Sequence, residues 1–93
     1  MRTFIAICLI AGSLAPSRAW AADPRFCREY ADSAVDQAHR AINSRRCERE
    51  AHGPRWSTHH HFHFDWCLGA RYEDARRERE IRHEFLERCW DRR

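Results

Sequence analysis

His59-His60-His61-Phe62-His63-Phe64-Asp65-Trp66-Cys67-Leu68-Gly69-Ala70-Arg71 is the stretch on which the fold turns, because it decides where the second long helix starts. After three histidines, the last part of residues 59–66 alternates polar and aromatic side chains. The alternation is short and no partner strand is in sight, so this part reads as an ordered loop. From about Asp65 to Trp90 the pattern is helical. Cys67, Ala70, Ala75, Ile81, Phe85, Leu86 and Cys89 fall on one side of a helical wheel. The remaining positions are mostly charged, with Glu73–Arg77, Glu78–Arg82 and Glu84–Arg88 in the favourable order at i, i+4. Gly69 is a weak point near the start of this helix.

Upstream, Asp23-Pro24 marks a helix start. Aspartate accepts the free amide hydrogens of the first turn, and proline is pre-set for the first helical position. Cys27, Tyr30, Ala31, Ala34, Val35, Ala38, Ala41 and Ile42 then recur at three and four, within an arc of roughly 140°. The spacing predicts a helix over 24–45 with a narrow, alanine-rich face suited to close packing. Residues 46–64 form a connector. Cys47 lies off the helical face, Cys47 to Ala51 have room for one further turn, and Gly53-Pro54 punctuates the segment.

The first 21 residues read as a leader. Arg2 supplies positive charge, Phe4–Leu14 is an apolar run too short to span a bilayer, and Ala19-Trp20-Ala21 places small residues where a signal peptidase cuts, after Ala21. Residues 22–93 then form a single domain, too small to be comfortable on hydrophobic burial alone. All 17 basic residues are arginine, and Arg2 and Arg18 leave with the leader. Fifteen remain against 14 acids, a net charge of +1 with the seven histidines neutral. That is no footprint for nucleic acid or an anionic membrane, and no membrane span is expected after cleavage.

Four cysteines remain, Cys27, Cys47, Cys67 and Cys89. An even number in an exported chain implies disulfides and a periplasmic or secreted location. Cys-x-x-Cys is absent, which argues against redox, zinc-ribbon and c-type haem motifs. Cys27 and Cys47 are 20 residues apart along a helix, roughly 30 Å, and a bridge needs Cα atoms within about 7 Å. Neither helix bridges its own ends. An antiparallel helical hairpin with a structured connector would pair Cys27–Cys89 and Cys47–Cys67, the nested arrangement, and this is the expected fold. The crossed alternative, Cys27–Cys67 with Cys47–Cys89, needs parallel helices and a connector spanning about 30 Å, which the chain can reach.

Two constellations are candidate sites. His59, His61, His63 and Asp65, with His52 nearby, offer imidazole and carboxylate ligands for Zn, Cu or Ni. The plainer reading is a solvated loop with one or two histidines packed on aromatic rings. Arg55, Trp56, Phe62 and Trp66 are an aromatic and arginine set of the kind found in binding patches, with a loop mini-core as the plainer reading. Trp90 is expected to cap the open end. A Ser57, His63 and Asp65 triad has no scaffolded nucleophile turn, so no enzyme is expected.

Taken together, Cys27-x-x-Tyr30-Ala31-x-x-Ala34-Val35-x-Gln37, Cys47, Gly53-Pro54-Arg55-Trp56, His63-x-x-Trp66-Cys67 and Leu86-x-x-Cys89 resemble a pattern in small exported four-cysteine helical proteins of proteobacteria of unassigned function. The resemblance covers nearly the whole mature chain and implies no activity. It places His63 in the framework and makes His59, His60 and His61 a local embellishment. The topology is also similar to the twin-cysteine helical hairpins of the mitochondrial intermembrane space. The expected function is a non-catalytic binding or structural module of the cell envelope, with an envelope or extracellular protein or a glycan as partner. The alternative is a periplasmic metal-binding protein using loop 59–65.

Overall fold

The computed structural model describes residues 21–90. Apart from Ala21, the expected leader lies outside the described residues. Among those described, the protein is all helical. Helix α1 spans Pro24–Ile42, α2 Arg45–Glu48, α3 His60–Leu68 and α4 Tyr72–Cys89, with a 3₁₀ turn at Pro54–Trp56.

Helix α1 starts as its sequence dictates. The Asp23 carboxylate accepts the Phe26 N–H at 2.8 Å, and Pro24 occupies the first turn. The helix stops at Ile42, three residues short of the expected end, because the next cap begins there. Ser44 Oγ accepts the Cys47 N–H at 3.3 Å and opens α2. The buried stripe is Cys27, Tyr30, Ala31, Ala34, Gln37, Ala38 and Ala41. It is rotated from the expected face, so that Gln37 goes in while Val35 sits at the edge and Ile42 stays exposed.

The decisive stretch folds differently from expectation. Residues 60–68 are helix, not loop, and the helix expected over 65–90 is broken after Leu68. Helix α3 sets His60, His63, Phe64 and Cys67 on one face at i, i+3, i+4 and i+7, against α1. Phe62 and Trp66 stand on another side. The apolar residues therefore surround the helix, which erases the one-sided signal that marks an amphipathic helix. At the break, the Gly69 and Ala70 N–H groups donate to the Trp66 and Cys67 carbonyls. The Ala70 carbonyl accepts the Ala22 N–H at 3.2 Å, and Ala21 forms a bridge with Arg71. Helix α4 then starts afresh with Glu73 and Asp74 in its first turn, where the helix dipole favours acids.

This extra reversal changes the topology. The antiparallel partner of α1 is α3, with His60 opposite Asp32 and Cys67 opposite Cys27. Helix α4 reverses again and runs parallel to α1. Phe26 meets Tyr72, Gln37 meets Arg79 and Arg82, and Ala41 shares a cluster with Leu86 and Cys89. The disulfides are accordingly Cys27–Cys67, with Cα atoms 5.6 Å apart, and Cys47–Cys89, at 5.1 Å. The nested pairing Cys27–Cys89 and Cys47–Cys67 is overturned, and the likeness to nested twin-cysteine hairpins goes with it. The connector reverses the chain from α1 to α3 as expected, and the turn at 69–71 adds the second reversal that brings α4 parallel to α1.

Two small clusters form the core. Ala22, Cys27, Tyr30, Cys67 and Ala75 pack with Phe26 and Phe64 at one end. Ala41, Cys47, Leu86 and Cys89 pack with Ala51, Trp56 and Phe85 at the other. The groove described next lies between them.

Candidate ligand-binding groove

Gly53 positions the groove's outer wall. Its φ of +94° lies in the region that favours glycine, and it turns the chain into the 3₁₀ turn of Pro54, Arg55 and Trp56. Trp56 then packs on Phe85 of α4, ring centroids 4.8 Å apart. Arg55 grips Glu78 of α4 in a two-point contact, Nε and Nη2 each donating at 2.9 Å. Paired contacts of this kind fix orientation as well as distance.

Helix α3 supplies the facing wall. Phe62 and Trp66, four residues apart, are each 40% exposed. Trp66 stacks at a tilt on Tyr30, at 5.6 Å, and Phe62 stands edge-on to His63 at 5.4 Å. Between the walls is a cleft of about 470 Å³ floored by Tyr30, His63, Glu78 and Arg82. Arg55, Trp56, Phe62 and Trp66, widely spaced in sequence, all line it.

The floor holds a buried arginine. Arg82 is 1% exposed. Its Nε donates to Gln37 Oε1 at 2.7 Å, its Nη1 lies 3.8 Å from Glu78 Oε1, and its guanidinium sits 5.1 Å over the Tyr30 ring. Gln37 in turn donates to the Arg79 carbonyl at 3.2 Å. Nη2 of Arg82 is buried without a hydrogen-bond partner, and such orphans carry a real cost. Burial pushes the Tyr30 hydroxyl above its ordinary pKa, against the pull of the Arg82 charge beside it.

His63 is buried beside this floor. Its Nε2–H donates to the Ser57 carbonyl at 2.8 Å. Burial pushes its pKa below the ordinary histidine value, opposed by the Ser57 bond; Arg82 and His60 add to the depression and Glu78 opposes it. The imidazole is thus kept neutral and locked in place.

The four candidate metal ligands are not gathered. His59 is the N-cap of α3, and His61, His63 and Asp65 alternate along the helix, so these three do not share one face. His63 is committed to Ser57, whereas His59 and His61 lie side by side in the open, 5.9 Å between ring centres. His60, outside the candidate set, pairs with Asp32 at 2.9 Å, and His52 bonds to the Arg49 carbonyl. Among the described residues, no three of His, Cys, Asp and Glu converge on a metal position. Ser57 gives His63 its carbonyl and uses its hydroxyl oxygen to accept the His59 N–H at 3.0 Å. The hydroxyl therefore does not meet the imidazole as a nucleophile would. Trp90 is exposed near Arg40, His83, Leu86 and Glu87 and lies apart from the groove.

Comparison with family models, with curated proteins and with solved structures finds no match for this chain.

Residue-by-residue reading of the sequence missed Arg82, Gln37, Glu78 and Phe85 as parts of one site. A signal was present. Ala75, Arg82, Leu86 and Cys89 share the buried seam of α4, and Tyr30, Ala34, Gln37 and Ala41 share that of α1. A polar residue on each seam at matching height is the mark of a buried polar contact.

Proposed function

We propose that this protein is a small exported, non-catalytic binding module of the cell envelope, periplasmic or secreted, that holds an envelope or extracellular ligand in the aromatic groove. One observation carries the reading. Phe62 and Trp66 stand exposed one helical turn apart on the wall of an open cleft, in a domain so short of apolar residues that its core is mostly alanine and cystine. Grouped apolar rings rimmed by polar residues are the kind of surface that marks an interaction site. The polar groups below are held by mutual contacts and offer directional recognition, as binding clefts do.

Other features agree with export. Two disulfides suit an oxidising compartment. Among the described residues, no helix is long and apolar enough to cross a membrane.

The test is a ¹⁵N NMR titration of oxidised mature protein with three probes: a muropeptide digest, a mixture of acidic and neutral oligosaccharides, and a defined peptide pool. The expected result is a shift of the Trp56 and Trp66 indole N–H signals, with Trp90 unmoved. Trp66→Ala should abolish the Trp56 response while the helical circular dichroism at the working temperature is retained. Response confined to Trp90, or no indole response to any probe, contradicts the proposal.

A further inference from the structure

Resting on the groove reading above, we infer that the ligand is an acidic saccharide, a short run of sugar rings bearing carboxylates, laid along the groove and the cavity that continues it. Three observations lead there.

The first is extension. A second cavity, of about 410 Å³, is lined by Arg46, Glu50, Phe85, Arg88 and Cys89. It shares Glu50 and Phe85 with the aromatic groove, so the two cavities adjoin at these residues and together offer a stepped trough over the Phe85 ring. A trough suits a chain molecule better than a single small one.

The second is charge. Residues 22–93 contain 15 arginines and 14 acids, a net charge of +1 with histidines neutral. The trough is lined by Arg46, Arg55, Arg82 and Arg88 against Glu50 and Glu78. It therefore carries a local surplus of two positive charges on a nearly neutral chain. Arg82 is almost wholly buried, reaches the floor, and keeps one unpartnered N–H-bearing nitrogen, Nη2. Guanidinium groups match carboxylates in shape and can bond them at two points. A ligand carboxylate in the groove lies over the buried Arg82 charge beside the exposed Arg55, while others meet Arg46 and Arg88.

The third is the kind of apolar surface. The groove is lined by Tyr30, Trp56, Phe62, Trp66, Phe85 and Pro54, with no Leu, Ile, Val or Met. An amphipathic peptide helix wants aliphatic, adaptable pockets, and an extended peptide wants a sheet edge to pair with; the described residues contain no β-strand. Flat rings with negative faces accept the slightly positive C–H faces of sugars. Single-stranded nucleic acid also stacks, but it calls for a larger cationic track than a surplus of two.

The experiment uses oxidised mature protein and four probes by calorimetry, with indole NMR as the site readout: tetragalacturonate, its methyl ester, octaglutamate, and an eight-residue oligothymidylate. Tetragalacturonate should bind and move Trp56 and Trp66. The ester, identical rings without charge, should bind at least tenfold more weakly. Arg46→Gln/Arg88→Gln, changed at exposed positions, should weaken the acid tenfold or more and leave the ester unaffected. Equal binding of ester and acid at the same indoles overturns the carboxylate inference and leaves the groove reading standing. Tighter binding of octaglutamate or oligothymidylate overturns it in favour of that class. Silence of all four probes overturns it too, and the broader panel then decides separately whether the groove binds anything. An Arg46→Gln/Arg88→Gln variant that binds tetragalacturonate as the parent does removes the second cavity from the site.

Discussion

The two ends of the molecule are stapled alike and built differently. At the Cys27–Cys67 end, three helices converge. Here α1, α3 and α4 pack around Tyr30, and Ala22 is tied to the α3–α4 corner through the Ala70 carbonyl. At the Cys47–Cys89 end, α1 and α4 have only a four-residue helix and a 3₁₀ turn for company. The loops closed by the two bridges are nearly equal, 40 and 42 residues. Chain entropy therefore assigns each bridge about the same stabilisation, about 4 kcal/mol. Any measured difference must come from what else holds each end. The groove sits at the seam, with one wall from the strong end and one from the weak end, so it reports on both.

Full reduction is the strongest way to break the comparison. Losing about 8 kcal/mol of constraint exceeds what a domain this size can spare, so helical circular dichroism should collapse in excess reductant. An unchanged midpoint would mean that the bridges are incidental. Removing one bridge at a time sharpens it. Cys47→Ala/Cys89→Ala should free the 3₁₀ turn and raise hydrogen exchange at Arg55 and Trp56. Cys27→Ala/Cys67→Ala should leave α3 partly docked through Tyr30 and Trp66. Equal exchange patterns in the two variants would refute the asymmetry.

Between the ends, Arg82→Ala should cost about 2–4 kcal/mol by denaturant melt, since it leaves Gln37 and a cavity uncompensated. Arg82→Met keeps the volume but still leaves the Gln37 oxygen without its donor, so it should recover the cavity part of that loss and not the polar part. A Met variant as stable as the parent would remove the polar contact as a cause, and equal losses in the two variants would remove the cavity. Gly53→Ala should cost about 1–2 kcal/mol through backbone strain at φ +94° alone, because a Cβ there meets nothing. No loss would show that the turn relaxes freely.

The smallest effect is pH-dependent and lies at the strong end. His63 is held neutral in the fold with its pKa lowered by burial, so the unfolded chain binds the proton more readily. Its contribution to stability is complete above the unfolded value, about 6.5. It declines as pH falls from there toward the lower folded value. The melting temperature should drop across that window, and His63→Gln should flatten the slope. A parent slope unchanged in the variant would assign it to other histidines.

The limits of legibility are themselves physical. Cap chemistry at Asp23 and the alanine stripe made α1 readable, and the cysteine count together with the leader made two bridges the natural expectation. Helix α3 was hidden because it is apolar on all sides, one toward α1 and another toward the groove, and because histidine is an indifferent helix former. The break after Leu68 was hidden because Gly69 has φ −96° and needs no unusual backbone. Ala21 and Ala22 dock on the corner where α3 ends, a long-range contact that no local pattern announces. Missing α3 reversed the relation of α1 to α4 and so exchanged the disulfide partners. The four candidate binding residues, Arg55, Trp56, Phe62 and Trp66, come to line one cleft because the 3₁₀ turn and α3 that carry them face each other. The buried Arg82 was read as part of a solvated face, since its i, i+4 partner Glu78 suits that reading equally well.

Everything above depends on α1 and α4 running parallel, and the disulfide pairs report that directly. Mass mapping of arginine-specific fragments from unreduced mature protein should find the Cys27 fragment joined to that of Cys67, and Cys47 to Cys89. Fragments joining Cys27 to Cys89 and Cys47 to Cys67 would contradict the topology and dissolve the groove with it.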